Sequence, residues 1–207
     1  PNYDVFDDMR YFEPAISVEP IELFGIKWGI SVCEDIWQND NSYLQYKVNP
    51  LELLHQKGAE ILVNISASPF TREKINERAE MLARRCREYK SPLLYVNQVG
   101  AQTDLIFDGD SLAMDALGNE ISRASRFTET FIDIECIRGT RGVNLKQIEL
   151  ELSDLQAHKT NTNKLQTFSG AEVSDEAYIF EALNLGIRDY IIKSGLPKKV
   201  CLGLSGG

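Results

Sequence analysis

The sequence predicts a layered α/β fold, because short apolar segments alternate with helical segments over the first half of the chain. Composition agrees, since 43% of the 207 residues are apolar and 26% are charged. These values exclude a disordered or collagen-like chain. After about residue 100 the pattern changes to short alternating segments with a Gly-Asn turn, which is typical of antiparallel strands. The length fits one domain, or one domain and a piece of a second.

The strands are predicted from apolar segments bounded by turn residues. Residues 20–32, PIELFGIKWGISV, are rich in β-branched and aromatic side chains and predict a hairpin that turns near Gly25. A short helix is expected at 50–57. The apolar segments 59–65 and 92–96 predict two further strands, both short enough to be buried in a sheet.

Two longer helices are predicted from spacing and capping residues. The first ends near Glu88, and its expected buried face consists of Ile75, Ala79, Leu82, Cys86 and Tyr89. The second begins after Ser174, a good N-cap residue followed by two acids, and ends at Gly195 and Pro197. Its expected buried face consists of Ile179, Ala182, Leu183, Ile187, Tyr190 and Ile191.

Composition divides the chain into three parts. Residues 1–140 carry the strands and helices of one domain. Residues 141–173 are polar and poor in aromatic side chains, which indicates a linker or an extended arm. Residues 174–207 predict a helix, a strand and a glycine-rich turn, and so the start of a second domain.

Charge and apolar runs exclude two classes of partner. The net charge of −9 argues against a nucleic-acid footprint. The sequence contains no run of about 18 apolar residues, so no membrane partner is expected. The start, PNYDVFDDMR, is not a signal peptide and does not begin with Met. We therefore expect the inside of a longer chain.

Cysteine and histidine usage indicates a reduced protein without a histidine-rich metal site. The four cysteines lack a CxxC pair or dense disulfide spacing, which predicts a cytoplasmic location. With only two histidines, His55 and His158, no metal site is predicted.

The candidate nucleophile is Cys33, which follows directly after a predicted strand. We expect it on a tight turn, with its sulfur presented outward. A thiol reacts as thiolate, and the adjacent carboxylates of Glu34 and Asp35 oppose thiolate formation. An activating group must therefore come from elsewhere. The alternative is an inert core cysteine.

The glycine-rich end of the chain is a candidate phosphate site. Ser205, Gly206 and Gly207 follow a predicted strand, and such turns bind phosphates through free backbone N–H groups. The alternative for these three residues alone is a simple turn.

Five segments together carry a resemblance to a known family. PNYDVFDDMRYF, GISVCEDIW, NISASPF and YVNQVGAQTDLIFDGDS resemble, in order and spacing, the glutaminase domain of the glutamine-dependent NAD synthetases, which belong to the nitrilase superfamily. EALNLGIRDYIIKSGLPKKVCLGLSGG resembles the entry to the synthetase domain. The resemblance implies a partial nitrilase-type αββα sandwich at 1–140, with its N-terminal part missing. It also implies the start of a doubly wound α/β ATP-pyrophosphatase domain at 174–207.

The resemblance implies an amidase mechanism with a Glu, a Lys and a Cys, of which Cys33 matches the Cys. The family's Glu and Lys would lie N-terminal to Pro1, so the chain as given lacks them. Glu34 and Lys27 are not substitutes, because neighbours in an extended chain point apart. We therefore expect a fragment of the full enzyme.

The resemblance also assigns a glutamine pocket. Tyr3 would line it, and Asp8 stands where a second Glu is more usual. Glu34 would lie in the pocket, where its backbone N–H could help to stabilise the oxyanion. Ser66 would hold the α-amino group of glutamine and Arg72 the α-carboxylate, for which a guanidinium is a suitable bidentate partner.

The implied overall reaction uses glutamine, ATP and nicotinic acid adenine dinucleotide. Ser205, Gly206 and Gly207 would begin the ATP pyrophosphate loop, with Mg²⁺ as the accompanying ion, and the glutaminase step would need no cofactor. A homo-oligomer is expected. Three alternatives stay open: a free-standing nitrilase-type amidase, a catalytically inactive interaction module, and an ATP-binding module.

Overall fold

The computed structural model describes residues 8–37, 48–72, 74–140, 142–148, 174–195 and 199–203. Its helices are α1 (Pro50–Gln56), α2 (Lys74–Tyr89) and α3 (Asp175–Lys193), with short 3-10 helices at Asp8–Arg10 and Cys33–Trp37. The strands are β1 (Ile21–Leu23), β2 (Ile26–Val32), β3 (Ile61–Ser66), β4 (Leu93–Asn97), β5 (Val99–Gln102), β6 (Leu105–Asp108), β7 (Leu112–Met114), β8 (Glu120–Arg123), β9 (Asp133–Gly139) and β10 (Gly142–Ile148). None of the helices in these ranges is both long and apolar enough to cross a membrane.

A six-stranded sheet in the order β1-β2-β3-β4-β7-β8 forms the centre of the fold. Strands β2, β3 and β4 are parallel, and antiparallel strands flank them on both sides. The predicted hairpin is confirmed: Phe24 and Gly25 connect β1 to β2 with φ of +54° and +71°, as a two-residue turn with positive φ at both positions requires. The predicted antiparallel strands after residue 100 are also confirmed.

The main apolar core lies between this sheet and helices α1 and α2. Leu82, Cys86 and Tyr89 of the predicted α2 face are buried in it, and Ala79 packs against it. A Cβ at Gly29 would lie 2.9 Å from Ala59 Cβ, so the backbone of β2 comes close to the end of α1. Side-chain size is therefore restricted at this contact.

The opposite face of the sheet is covered in part by the antiparallel hairpin β9–β10. Val143 and Leu145 pack against Ile26, Ile61 and Ala113 of the sheet. Strand β10 begins the segment expected to be a linker or an arm. Its buried Val143 and Leu145 alternate with polar residues, and the high polarity of the segment hid this strand period.

Helix α3 begins where the sequence predicts, with Ser174 as N-cap residue. The prediction of its buried face was largely wrong. Ala182, Leu185 and Asp189 are its buried residues, while four predicted core residues are exposed: Ile179, Leu183, Ile187 and Tyr190. The reason is that α3 packs on the small β5–β6 hairpin and on Phe127, which together cover only a narrow strip of the helix.

Two side chains of α3 bind the main chain of β5. Asp189 Oδ2 accepts a hydrogen bond from the Ala101 N–H at 2.8 Å, and Lys193 Nζ donates to the Ala101 carbonyl oxygen at 2.8 Å. At Gly100, φ is +134° and a Cβ would lie 3.1 Å from Asp189 Oδ2. A side chain at position 100 would therefore strain both the backbone and this contact.

Candidate active site

A row of polar side chains crosses the three parallel strands near their carboxyl ends. Ser31 of β2 is in register with Asn64 of β3, which is in register with Tyr95 of β4. Ser66 and Asn97 form the next pair, two residues further on. The side-chain period of two puts all five on the same face, toward the helices. The carboxyl edge of parallel strands is also where ligands bind in open α/β sheets.

Cys33 follows β2 directly and begins a 3-10 helix. Its φ is +46°, so the chain turns sharply at the cysteine. Asp35 Oδ2 accepts a hydrogen bond from the Val32 N–H at 2.8 Å and closes this turn. The tight turn is confirmed. The expectation that the sulfur points outward was wrong, because Cys33 is only 4% exposed.

Burial raises the pKa of the Cys33 thiol above its ordinary value of 9.0. The backbone of Ala67 and the hydroxyl of Ser66 lie beside the sulfur and act to lower the pKa, whereas the Glu34 carboxylate acts to raise it. Burial is the largest effect. The thiol is therefore protonated at neutral pH, and a base must remove its proton before it can attack.

A chain of hydrogen bonds connects the cysteine to the polar row. Asn64 Nδ2 donates to Ser31 Oγ at 3.0 Å and to the Cys33 carbonyl oxygen at 3.3 Å. Ser66 Oγ donates to Asn64 Oδ1 at 2.6 Å, and Ser31 Oγ donates to the Val63 carbonyl oxygen at 3.1 Å. Asn64 is fully buried. It therefore connects the backbone of the candidate nucleophile to the hydroxyl of Ser66.

Asn97 connects the loops that follow β3 and β6. Its Oδ1 accepts from the Ser68 N–H at 2.8 Å, and its Nδ2 donates to the Gly109 carbonyl oxygen at 2.9 Å. Asn97 is buried at the end of β4. The side-chain amide of Asn97 thus holds the loop that contains Ser68 against the loop that contains Gly109.

A buried ionic cluster lies next to this loop support. Arg78 of α2 donates to both carboxylate oxygens of Asp108, each at 3.1 Å, and lies 3.4 Å from Asp110. Arg123 and Arg126 contact Asp110 at 2.6 and 2.9 Å. Burial acts to raise the pKa of Asp110, but the two arginines outweigh it, so the pKa lies below its ordinary value of 3.8.

The ionic cluster also contacts aromatic side chains on two other elements. The guanidinium of Arg78 lies 5.7 Å from the centre of the Tyr95 ring, and that of Arg126 lies 4.6 Å from the centre of the Tyr178 ring. Both distances are within the range of cation–π attraction. Tyr178 belongs to α3, so the cluster joins α2, the β6–β7 loop and α3.

The structure brings some of the predicted site residues together. Ser66 and Glu34 are both buried and both act on the Cys33 thiol. Arg72 is exposed, and its Nε and Nη2 lie 2.7 and 2.6 Å from Asp175 Oδ2 on α3. The guanidinium predicted to bind a substrate carboxylate therefore binds a carboxylate of this chain.

Of the remaining predicted residues, the structure describes only Asp8. Asp8 begins the first 3-10 helix, where its carbonyl oxygen accepts hydrogen bonds from Tyr11 and Phe12, and these bonds define a local turn. Tyr3 lies outside the described residues, and so do Ser205, Gly206 and Gly207.

Sequence reasoning missed Ser31, Asn64 and Tyr95, together with the buried arginine Arg78. A signal was present for Asn64, since it is the one polar residue in the apolar run ILVNI of the predicted strand. Arg78 and Asp108 are far apart in sequence, and their pairing depends on how α2 packs. No group of three or more His, Cys, Asp or Glu side chains in the described part of the chain is arranged to hold a metal ion.

The family model for carbon-nitrogen hydrolases matches residues 3–142. The chain belongs to the carbon-nitrogen hydrolase family. A glutamine-dependent NAD(+) synthetase of Synechocystis sp. is 35% identical over the whole chain, and one of Aquifex aeolicus is 33% identical. The chain spans 34% and 37% of these two relatives, about a third of their length.

A solved structure agrees with these relatives. The glutamine-dependent NAD+ synthetase of Acinetobacter baumannii, in complex with ADP, superposes with a TM-score of 0.73 over 94% of this chain and 31% of that one, at 30% identity. The predicted nitrilase-superfamily α/β fold is therefore confirmed, as is the resemblance to the glutamine-dependent NAD synthetases.

Proposed function

We propose that this chain carries the nucleophile and part of the substrate pocket of a glutaminase, within a glutamine-dependent NAD synthetase. Family membership and the names of the relatives support this function. The observation that carries it is Cys33 on a sharp turn after β2, with Ser66 and the backbone of Ala67 beside its sulfur. This arrangement places one buried thiol beside a polar hydroxyl at the carboxyl ends of the parallel strands.

The chemistry follows from the state of the thiol. A carboxylate base takes the proton of Cys33, and the thiolate attacks the side-chain amide carbon of glutamine. The C–N bond breaks, ammonia leaves with that proton, and water hydrolyses the thioester to glutamate. The raised pKa of Cys33 explains why a base is needed. We assign the base and a lysine to polypeptide outside this chain, as the family resemblance implies.

The other pocket residues have separate roles in this proposal. The backbone N–H of Glu34 helps to stabilise the oxyanion, and Ser66 binds the α-ammonium group. Arg72 binds the α-carboxylate after Asp175 releases it. Tyr3 and Asp8 complete the wall of the pocket.

The second half-reaction is proposed for the whole protein. Ammonia is used for the ATP-dependent amidation of nicotinic acid adenine dinucleotide to NAD, with Mg²⁺. Ser205, Gly206 and Gly207 begin the ATP loop, in a synthetase domain that starts near residue 174. The ADP bound to the Acinetobacter baumannii structure supports the use of an adenine nucleotide. We further propose a homo-oligomer in the cytoplasm, and the four free cysteines support that location.

The test uses the full-length protein and the variant Cys33→Ala. We expect the variant to lose ammonia release from glutamine and NAD formation with glutamine, while NAD formation with ammonium chloride persists. Labelling with 6-diazo-5-oxo-L-norleucine, a glutamine-analogue electrophile, should modify Cys33, as located by mass spectrometry of peptides. Cys201→Ser, which removes an exposed thiol, is the matched control and should behave as wild type.

Two of the alternatives give different results in the same assays. A free-standing amidase releases ammonia but forms no NAD from either nitrogen source. An inactive interaction module gives neither ammonia nor an adduct. Wild-type activity that survives in Cys33→Ala would exclude the proposed nucleophile.

A further inference from the structure

We propose that Asn64 is a positioning residue that fixes the hydroxyl proton of Ser66, so that Ser66 acts only as a hydrogen-bond acceptor toward the pocket. An acceptor at this place selects amides that carry an α-ammonium group. This inference rests on the proposed glutaminase function and concerns how the same site recognises its substrate.

The orientation of the Asn64 amide is determined by the Cys33 carbonyl group. A carbonyl oxygen can only accept, so the Asn64 atom 3.3 Å from it must be the NH₂ nitrogen. The same nitrogen donates to Ser31 Oγ at 3.0 Å. Ser31 is free to accept because its own proton goes to the Val63 carbonyl oxygen, at 3.1 Å. Both amide protons of Asn64 are thus engaged.

The amide oxygen of Asn64 then faces Ser66. Because Asn64 Oδ1 can only accept, the Ser66 hydroxyl must donate across the 2.6 Å that separates the two oxygens. A hydroxyl has one proton, so Ser66 Oγ is left with its lone pairs alone. All of these side chains are buried, so water does not compete for the bonds.

An acceptor at Ser66 has two consequences for the site. The Cys33 thiol, which keeps its proton because burial raises its pKa, can donate a hydrogen bond to the Ser66 oxygen. An ammonium group carries only donors, so the Ser66 oxygen suits the α-ammonium of glutamine. A substrate without that group leaves the acceptor unsatisfied.

The test compares two substrates in the full-length protein: glutamine, and 4-carbamoylbutanoate, in which hydrogen replaces the α-ammonium group. For each we would measure kcat and KM for ammonia release. The variants are Asn64→Ala, Ser66→Ala, the double variant and Asn64→Asp. Asn49→Ala, which removes the partly exposed N-cap asparagine of α1, is the matched control.

The preference for glutamine is the ratio of kcat/KM for glutamine to kcat/KM for 4-carbamoylbutanoate. We expect Asn64→Ala to lower this ratio by about tenfold or more, the range for a hydrogen bond to a charged group. Ser66→Ala should lower it similarly, and the double variant should lower it no further than Ser66→Ala, because Asn64 acts through Ser66. Asn64→Asp keeps an oxygen facing Ser66 and should retain the preference while kcat falls. Asn49→Ala should leave the preference unchanged.

Three outcomes would overturn the proposal. Equal losses for both substrates in Asn64→Ala would mean a merely structural role. Additive losses in the double variant would separate Asn64 from Ser66. If Asn64→Ala does not fold, loss of preference in Asn64→Asp would contradict the proposal. A wild-type protein that releases no ammonia from glutamine would overturn the proposed function itself, which these variants do not decide.

Discussion

Two buried polar clusters lie side by side in this fold, and they differ in kind. The cluster around Asn64 is neutral, and each of its hydrogen bonds has a fixed direction. The cluster around Asp110 is ionic and joins α2, the β6–β7 loop and β8. Neutral groups determine where individual protons lie, whereas buried charges hold elements together because losing a partner costs several kcal/mol. Variants in the two clusters should therefore fail in different ways.

The largest loss of stability is expected in the ionic cluster. Arg78→Met removes the bidentate partner of Asp108 and should lower the free energy of unfolding by about 3–5 kcal/mol. Chemical denaturation of the full-length protein measures the effect. Arg84→Met, at an exposed position of the same helix, should cost less than about 0.5 kcal/mol. Equal losses in the two variants would contradict the role of the cluster.

Asn64→Ala should lower the free energy of unfolding less than Arg78→Met does. Its loss of ammonia release should nevertheless be larger than this loss of stability explains. The variant removes the hydrogen bonds that Asn64 makes to the Cys33 carbonyl oxygen, Ser31 Oγ and Ser66 Oγ, which we expect to cost about 1–3 kcal/mol. The same denaturation assay and the ammonia assay are compared in one preparation. If the loss of activity in Asn64→Ala is no larger than its loss of stability explains, the two clusters do not differ in function.

Acid should weaken the ionic cluster. The pKa of Asp110 in the fold lies below its ordinary value of 3.8, so the unfolded state binds more protons near that pH. Its contribution to stability is present above about pH 4 and is lost as the pH falls through the folded pKa, by at most about 1.4 kcal/mol per pH unit. Denaturation midpoints between about pH 5 and 3 should fall less steeply in Asp110→Asn than in wild type. Equal slopes would show that other groups dominate.

The smallest effect is expected at the exposed pair of Arg72 and Asp175. Both side chains are substantially exposed, at 61% and 45%, so Asp175→Ala should change stability by about 0.2–1 kcal/mol at most. If Arg72 binds the substrate carboxylate, freeing it should lower the KM for glutamine by up to about fivefold. Glu176→Ala in the same helical turn is the control. An unchanged KM would mean that Asp175 does not compete with substrate.

Much of the fold could be predicted from the sequence, since apolar periodicity gives strands and helices directly. The strands at β2, β3 and β4 and the N-cap at Ser174 are examples. The buried face of α3 could not be predicted, because Leu185 and Asp189 are selected by the small hairpin beneath the helix rather than by the helix's own pattern. Strand β10 was hidden by its polar composition.

The site was predicted only where one residue carries the chemistry. Cys33 follows from its place after a strand and from the family resemblance, and Ser66 from the resemblance. The Arg78–Asp108 pair and the row of Ser31, Asn64 and Tyr95 depend on strand register and on how α2 packs. Both contacts join residues that are far apart in the sequence, so local sequence patterns do not predict them.

The attachment of α3 through the main chain of Ala101 has a consequence for variation and for association. Asp189 and Lys193 bind the N–H and the carbonyl oxygen of that residue, not its methyl group. The attachment therefore does not depend on the side chain at position 101, although burial limits its size, and a side chain at position 100 would be strained. The same two bonds use the backbone N–H and carbonyl oxygen that an edge strand otherwise leaves unpaired. At Ala101, therefore, a strand from another molecule cannot pair with this hairpin.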